Sequence, residues 1–341
     1  MSKRPVTLKD IAEASGVSRA TVSAVLHGKD WVSDGTRSRV QAALRHNKYH
    51  HHLVADSLSA RFSKIVGVVV GNIRNPFNTE LLVGMQSELE RAGYFVIQHT
   101  TDESYENEVK ALRALSSYQP GAYVLAPVQE SKNHAHLREL AQSGRPLVTI
   151  GTVPGLDTHS VDFDDQHGCK LATDYLIEQG HRRIACVAGA ETSSFAKHRI
   201  FGYIESLVDH GIPLDESLIV RADDTLANGY EAARRALGQQ GARPTALVCF
   251  NDLIAMAAYR AAHDEGLRIP EDLSIIGFDD CFLAPVMGPP LATVATYPAK
   301  LGRYIAEIIV TVHTDEKRRG FIRRRTQPKL IIRDSVAPPS R

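Results

Sequence analysis

Thr7, Ser18, Arg19, Thr21 and Ser23 lie on one short stretch, Val6–Leu26, which reads VTLKDIAEASGVSRATVSAVL. Hydroxyls beside helix N-terminal amides hold phosphates, and an arginine reaches guanine O6 and N7, so this set suits the holding and reading of duplex DNA. A second set is dispersed: Asn75, Phe77, Arg199, Asn251 and Asp279. Arginine is a forked donor, aspartate an acceptor and asparagine both, which suits a polyol, and Phe77 adds an apolar face. Catalytic combinations are weaker. Asp162, Asp164, Asp165 and His167 cluster, but Asp162-Phe163-Asp164-Asp165 reads as a helix start, where carboxylates favour the dipole. Gly168-Cys169-Lys170 lacks the glycines of a phosphate loop, and neither G-x-S-x-G nor H-E-x-x-H occurs. No enzyme is expected. Cys169, Cys186, Cys249 and Cys281 have neither paired nor metal-ligand spacing, so they read as buried thiols of a reducing cytoplasm, with no metal and no cofactor.

The elements that position the first set are two short helices. Thr7 precedes Leu8–Ala14 and Ser18 precedes Arg19–Leu26, each placing a side-chain oxygen where the first helical amides need a partner. Gly16 supplies the left-handed corner between them, and Leu8, Ile11, Ala12, Val17, Val22 and Val25 fall at helical spacing around one small core. This is a helix-turn-helix, closed by a third helix that Ser33 is expected to cap and that contributes Val40, Ala43 and Leu44. Charge agrees: up to Lys64 there are 11 basic residues against five acidic, and thereafter 29 against 34. A basic arm on a mildly acidic body is the footprint of a nucleic-acid reader joined to something that binds another ligand.

From Ile65 the pattern changes to buried strands alternating with amphipathic helices. Ile65–Val70, Tyr94–Ile97, Ala122–Leu125 and Leu147–Ile150 read as strands of one lobe, with a helix over Pro76–Gly93. A second lobe from near Gln166 has strands at Ile184–Val187, Leu218–Val220, Ala246–Phe250 and Ser274–Ile276. Its helices read as Cys169–Gln179, Arg199–Asp209, Gly229–Leu237 and Leu253–Glu265. Ligands of such doubly wound sheets bind beyond the strands' carboxyl ends, which is where Asn75, Phe77, Asn251 and Asp279 stand. Arg323-Arg324-Arg325 reads as a solvated charge run at the body's edge. No apolar run approaches the ~18 residues of a membrane span, so no membrane partner is expected.

The pattern V-T-L-x-D-I-A-x-x-x-G-V-S-x-x-T-V-S, followed by a third helix and by A-x-S-L before an apolar strand, resembles the lactose/galactose repressor family over essentially the whole chain. Ser23–Lys29 resembles its maltose-regulon branch. The resemblance implies a transcriptional repressor: an all-α helix-turn-helix headpiece (1–49), a hinge (50–64) and a periplasmic-binding-protein-like α/β body of two doubly wound lobes (65–341). Lobe 1 covers about 65–164 and 297–326, and lobe 2 about 165–295 and 327–341. It implies base reading by Arg19, Ala20 and Ala24, and phosphate contact by Thr7, Ser18, Thr21 and Ser23. The hinge would fold on DNA through Val54–Leu58, with Ala55 on the duplex and Leu58 wedged into the minor groove. Two departures stand out: Tyr49 is followed by His50-His51-His52 instead of a Pro-Asn pair, and Asp56 replaces a basic or amide residue. The partners implied are a pseudo-palindromic double-stranded operator, a second copy of the chain and a small-molecule effector, often a sugar, on Asn75, Phe77, Arg199, Asn251 and Asp279. Asp224 and Pro298 stand where some relatives have an aromatic platform, and a phosphorylated effector stays open because Arg199 would suit it. A sugar-binding cytoplasmic protein without operator specificity is the alternative.

Overall fold

The computed structural model describes residues 6–26, 29–47, 63–128, 134–238, 242–315, 317 and 319–340. The chain divides into two compact units, Met1–Ser59 and Ala60–Arg341.

The smaller unit is built on α1 (Leu8–Ser15), α2 (Arg19–Leu26) and α3 (Asp34–His46). Thr7 and Asp10 form a reciprocal cap, in which the Asp10 carboxylate accepts from the Thr7 amide at 2.8 Å and the Thr7 hydroxyl from the Asp10 amide at 3.4 Å. Gly16 turns the corner at φ +66°, and the Ser18 hydroxyl accepts from the Thr21 amide at 3.1 Å. Ser33 differs from expectation: its hydroxyl bonds the Thr36 hydroxyl at 3.0 Å and caps no backbone amide. Ile11, Val22 and Val40 are fully buried at the centre, and Leu8, Val17 and Leu44 pack around them.

The body carries two parallel sheets. The first has the order β11-β5-β4-β3-β1-β2, from β1 (Ile65–Val70), β2 (Phe95–Thr100), β3 (Ala122–Leu125), β4 (Leu147–Ile150), β5 (His159–Phe163) and β11 (Arg323–Thr326). The second has the order β7-β6-β8-β9, from β6 (Ile184–Ala188), β7 (Ile219–Arg221), β8 (Ala246–Cys249) and β9 (Ser274–Ile276). An antiparallel pair, β10 (Thr293–Ala295) with β12 (Lys329–Ile331), is joined to the second sheet by bridges Ile276–Ala292 and Asp279–Ala295. The chain passes between the sheets after β5, after β10 and after β11.

Helices α4 (Pro76–Arg91), α5 (Tyr105–Ser116), α6 (Ala135–Gln142), α7 (Asp165–Glu178), α8 (Ser194–Asp209), α9 (Leu226–Leu237), α10 (Asp252–Asp264) and α11 (Pro298–Thr314) cover the sheets. Three begin earlier than the apolar periodicity indicates. Asp164, Ser193 and Thr225 cap α7, α8 and α9 by accepting from the amide three residues on, so each first turn is set by a cap and not by burial. Asp162 therefore lies in β5, which ends at Phe163, and opens no helix; Asp164 is the capping residue. The Arg323–Arg325 run is an exposed edge strand paired with β5, with Arg323 bonded to Asp157 at 2.8 Å and Arg325 3.3 Å from Asp164.

Helix α11 lies against α4 at backbone contact distance. A Cβ on Gly302 would stand 2.1 Å from the Leu81 carbonyl oxygen, and one on Gly84 2.3 Å from that of Ala299. Gly302→Ala is therefore expected to destabilise the body by about 1–3 kcal/mol through overpacking, despite a gain of about 1 kcal/mol in helix propensity. Gly35→Ala in α3, where nothing lies within 4 Å of the added methyl, should instead stabilise the headpiece. Thermal melts of both variants, followed by circular dichroism, check the contrast.

Candidate functional site

The headpiece presents a polar outer face. Thr7, Ser18, Arg19 and Ala20 are exposed, and Thr21 and Ser23 are half-buried. Ser18 and Thr21 share a hydroxyl–hydroxyl bond of 2.9 Å at the start of α2, next to amides that helix geometry leaves without intrahelical partners. Arg19 leads the helix with its side chain in solvent, as a groove-reading residue requires. Ala24 sits differently from Arg19 and Ala20. Its side chain is only 7% exposed and packs in the headpiece core with Val22 and Val25, leaving little methyl surface for a thymine. Trp31, the one tryptophan of the chain, is 68% exposed between α2 and α3. Ala55 and Leu58, with His50–His52 and Asp56, lie outside the described residues.

In the body, Asn75, Phe77, Arg199, Asn251 and Asp279 all line one cavity of about 540 Å³ between the two sheets. Both asparagines are helix caps that point their amides inward. Asn75 begins α4, its Oδ1 accepting from the Phe77 amide at 3.0 Å, and Asn251 begins α10, its Oδ1 accepting from the Ile254 amide at 2.9 Å. Their free Nδ2 groups meet at one carboxylate: Asn75 donates to Asp224 Oδ2 at 2.9 Å and Asn251 to Asp224 Oδ1 at 2.6 Å. Asn72 adds a bond to the Asp224 carbonyl at 2.9 Å. Asp224 thus ties the first lobe to the second at the mouth of α9.

Arg199 is 6% exposed. Its Nε donates to Asp165 Oδ1 at 2.7 Å and its Nη1 to the Phe250 carbonyl. The guanidinium carbon stands 3.7 Å from the Phe278 ring centre and 4.5 Å from that of Phe250. Asp279 follows with an unusual backbone, φ +113°, and the next residue, Asp280, has φ +57°. That turn is pinned by Asp252, whose carboxylate accepts from the Cys281 amide at 2.7 Å and the Thr293 hydroxyl at 2.6 Å. Arg333 holds Asp280 at 2.6 Å. Asp279 Oδ1 is buried and accepts no hydrogen bond; the Arg199 Nη2 group is 3.8 Å away.

Burial decides the protonation here. It pushes the Asp279 carboxyl well above the usual range, against the pull of Arg199. It raises Asp165 to about 6 although Arg199 opposes it, and Asp252 to about 7 against its hydrogen-bond donors. Glu103 at the cavity wall is raised to about 7, by the packed atoms around it first and then by Asp224, Glu108 and Asp102.

Asp102, Glu103 and Asp223 also line the cavity, and with Asp224 each follows the carboxyl end of β2 or β7. The strand-end rule that finds Asn251 and Asp279 finds these too. Phe163 and Phe195, stacked at 6.1 Å, come from a strand and a helix turn that periodicity did not reveal.

Removing Arg199 leaves a carboxylate buried without its cation. Arg199→Met should cost about 3–5 kcal/mol of stability, and adding Asp165→Asn should restore part of it. Urea denaturation of the single and double variants measures the coupling; a cost under about 1 kcal/mol would show that the pair is not structural. The raised Asp252 carboxyl has a signed consequence. Its contribution is complete below its unfolded value near 3.8 and is lost as pH rises through about 7. Buried His181 and His313, lowered mainly by desolvation, act oppositely below pH ~6.5. Between pH 6.5 and 8, the wild-type melting temperature is therefore expected to fall relative to that of Asp252→Asn.

Residues 7–51 match the family profile described as bacterial regulatory proteins, lacI family, and residues 173–336 match the periplasmic binding protein-like domain. The HTH-type transcriptional regulator DegA of Bacillus subtilis (strain 168) is 33% identical over 336 residues, covering 97% of this chain and 98% of the relative. The ribose operon repressor of Haemophilus influenzae is 33% identical over 332 residues, with coverage of 97% and 98%. Among solved structures, the Lac repressor dimer bound to operator and the anti-inducer ONPF superposes with a TM-score of 0.82 at 25% identity, covering 98% of this chain and 100% of that one. The capped helix pair with Arg19 exposed at the start of its second helix, the paired parallel lobes and relatives matched along nearly their whole length lead to one assignment: the chain belongs to the lacI family of DNA-binding transcriptional regulators.

Proposed function

We propose that two copies of the chain bind a pseudo-palindromic operator in the cytoplasm and that a small polyhydroxylated effector in the interlobe cavity changes their affinity for it. The observation that carries this reading is convergence: five residues scattered from 75 to 279 line one cavity in a chain whose N-terminal unit is a helix-turn-helix. Arg19 and Ala20 read bases, while Thr7, Ser18, Thr21 and Ser23 hold phosphates. Two-fold symmetry of the protein demands two-fold symmetry of the site. Asn75, Asn251 and Asp279 bond effector hydroxyls, Phe77 covers an apolar face, and Arg199 shapes the floor. The segment Val54–Leu58 couples the two events, and the linkage is reciprocal: operator and effector alter each other's affinity by the same factor. That relatives include a ribose operon repressor supports a carbohydrate-like effector.

Selection of bound duplexes from a random pool, repeated with candidate sugars, tests the proposal. The expected outcome is an enriched palindrome whose recovery changes with one compound. Arg19→Ala should reduce affinity for that palindrome about 5- to 100-fold, equivalent to one lost base contact of about 1–3 kcal/mol, and relax preference at one position per half-site. Binding that falls with salt but enriches no sequence would favour the sugar-binding alternative without operator specificity.

A further inference from the structure

The charges of the cavity narrow the chemistry of what it takes. Five carboxyl groups line it, those of Asp102, Glu103, Asp223, Asp224 and Asp279, against two guanidinium groups, those of Arg74 and Arg199. Of these two, Arg74 is exposed at the rim, and Arg199 is already committed. Its Nε and Nη1 are bonded to Asp165 and the Phe250 carbonyl, and aromatic rings cover its face. An entering phosphate or carboxylate would thus meet no free deep cation, only neutral donors such as the hydroxyls of Thr192, Ser193 and Thr225 beside an excess of carboxyl groups.

One acceptor is waiting instead. Asp279 is 95% buried at its side chain, lines the cavity, and its Oδ1 receives no hydrogen bond. A buried acceptor without a donor is costly, and such groups in folded proteins are normally satisfied. Across the same cavity, the Asp224 carboxylate accepts only neutral amide donors from Asn75 and Asn251. Hydroxyl donors alone would satisfy Asp279 Oδ1 but leave the carboxylates of Asp102, Asp223 and Asp224 facing no free cation deeper than Arg74 at the rim. An ammonium group does both, because it is a charge with three donors and no acceptor. Phe77, Phe163 and Phe195 leave an apolar wall for the carbon skeleton, and about 540 Å³ is within the range of small-molecule sites.

We infer that the effector is an amine-bearing polyol, such as an amino sugar in its protonated form, seated with its ammonium between Asp279 and Asp224, and that phosphorylated or acidic sugars are excluded. The inference rests on the reading of this cavity as the effector site.

The test is calorimetric titration of the full chain at pH 7 with matched probes: glucosamine, galactosamine and mannosamine, their N-acetyl forms, their 6-phosphates, and glucose, galactose and mannose. At least one free amine is expected to bind at least ten times more tightly than its N-acetyl form, its 6-phosphate and its neutral parent. Asp224→Asn and Asp279→Asn are each expected to shrink that preference several-fold. Two variants are used so that a failure of Asp279→Asn to fold leaves Asp224→Asn to decide. A neutral sugar or a 6-phosphate binding as well as the amine overturns the inference, as does a panel in which no amine binds. The two readings fail differently. Neutral-sugar binding that Asn251→Ala abolishes would leave the cavity as the effector site and remove only the amine. Binding indifferent to Asn251→Ala, Asp224→Asn and Asp279→Asn would remove both.

Discussion

The body depends on one buried guanidinium. Arg199 is carried by α8, bonded to the first residue of α7 through Asp165, to the chain leaving β8 through the Phe250 carbonyl, and stacked on Phe278 ahead of the turn after β9. Four pieces of the second lobe are thus registered by a single planar group with a fixed fork of donors, a task a lysine's point charge could not perform. The cavity floor follows from it. The left-handed turn at Asp279 and Asp280 costs about 1–3 kcal/mol per residue, and the bonds from Cys281 and Thr293 to Asp252 hold it in place. What faces the ligand is preorganised by groups that never need to touch it.

Much of this was legible in the sequence where a local rule applies. The caps at Thr7 and Ser18 and the turn at Gly16 are set by neighbours within a few residues, so their types and spacing suffice. Strand-end placement brought Asn75, Phe77, Asn251 and Asp279 to one cavity because parallel sheets leave their carboxyl-end loops on one side. The failures are equally specific. β5 reads His159-Ser160-Val161-Asp162-Phe163 and β11 is largely arginine, so neither shows the apolar run of a buried strand; pairing supplies what propensity withholds. Ala24 is too small for its type to tell a core position from a groove position. Asp224 stood out as a departure from an aromatic, but its partners are 149 and 27 residues away, beyond any local pattern.

The small unit and the large one use different means of stability. Among its described residues the headpiece buries eight apolar side chains, none larger than isoleucine, and three of them are alanines. A core of that size is marginal, so capping hydrogen bonds of about 1 kcal/mol each weigh heavily. The body has large apolar clusters on both sheets, and its buried charges are tolerated because those clusters hold the frame.

Asp224 bridges the two lobes of the body. Asn75 from the first lobe and Asn251 from the second share that carboxylate, and further cross-lobe bonds run from Asn72 to the Asp224 carbonyl and from the Phe282 amide to Glu80, each at 2.9 Å. The lobes therefore meet through hydrogen bonds of their own, and a ligand shifts their equilibrium only by its difference in affinity for the two arrangements. A donor group that takes an Asp224 oxygen has two routes. Displacing the Asn75 amide breaks the cross-lobe bond and favours separation, while joining it on the remaining lone pairs tightens the bridge. For an effector seated as proposed, the direction of the response would follow from which amide it displaces at this one carboxylate.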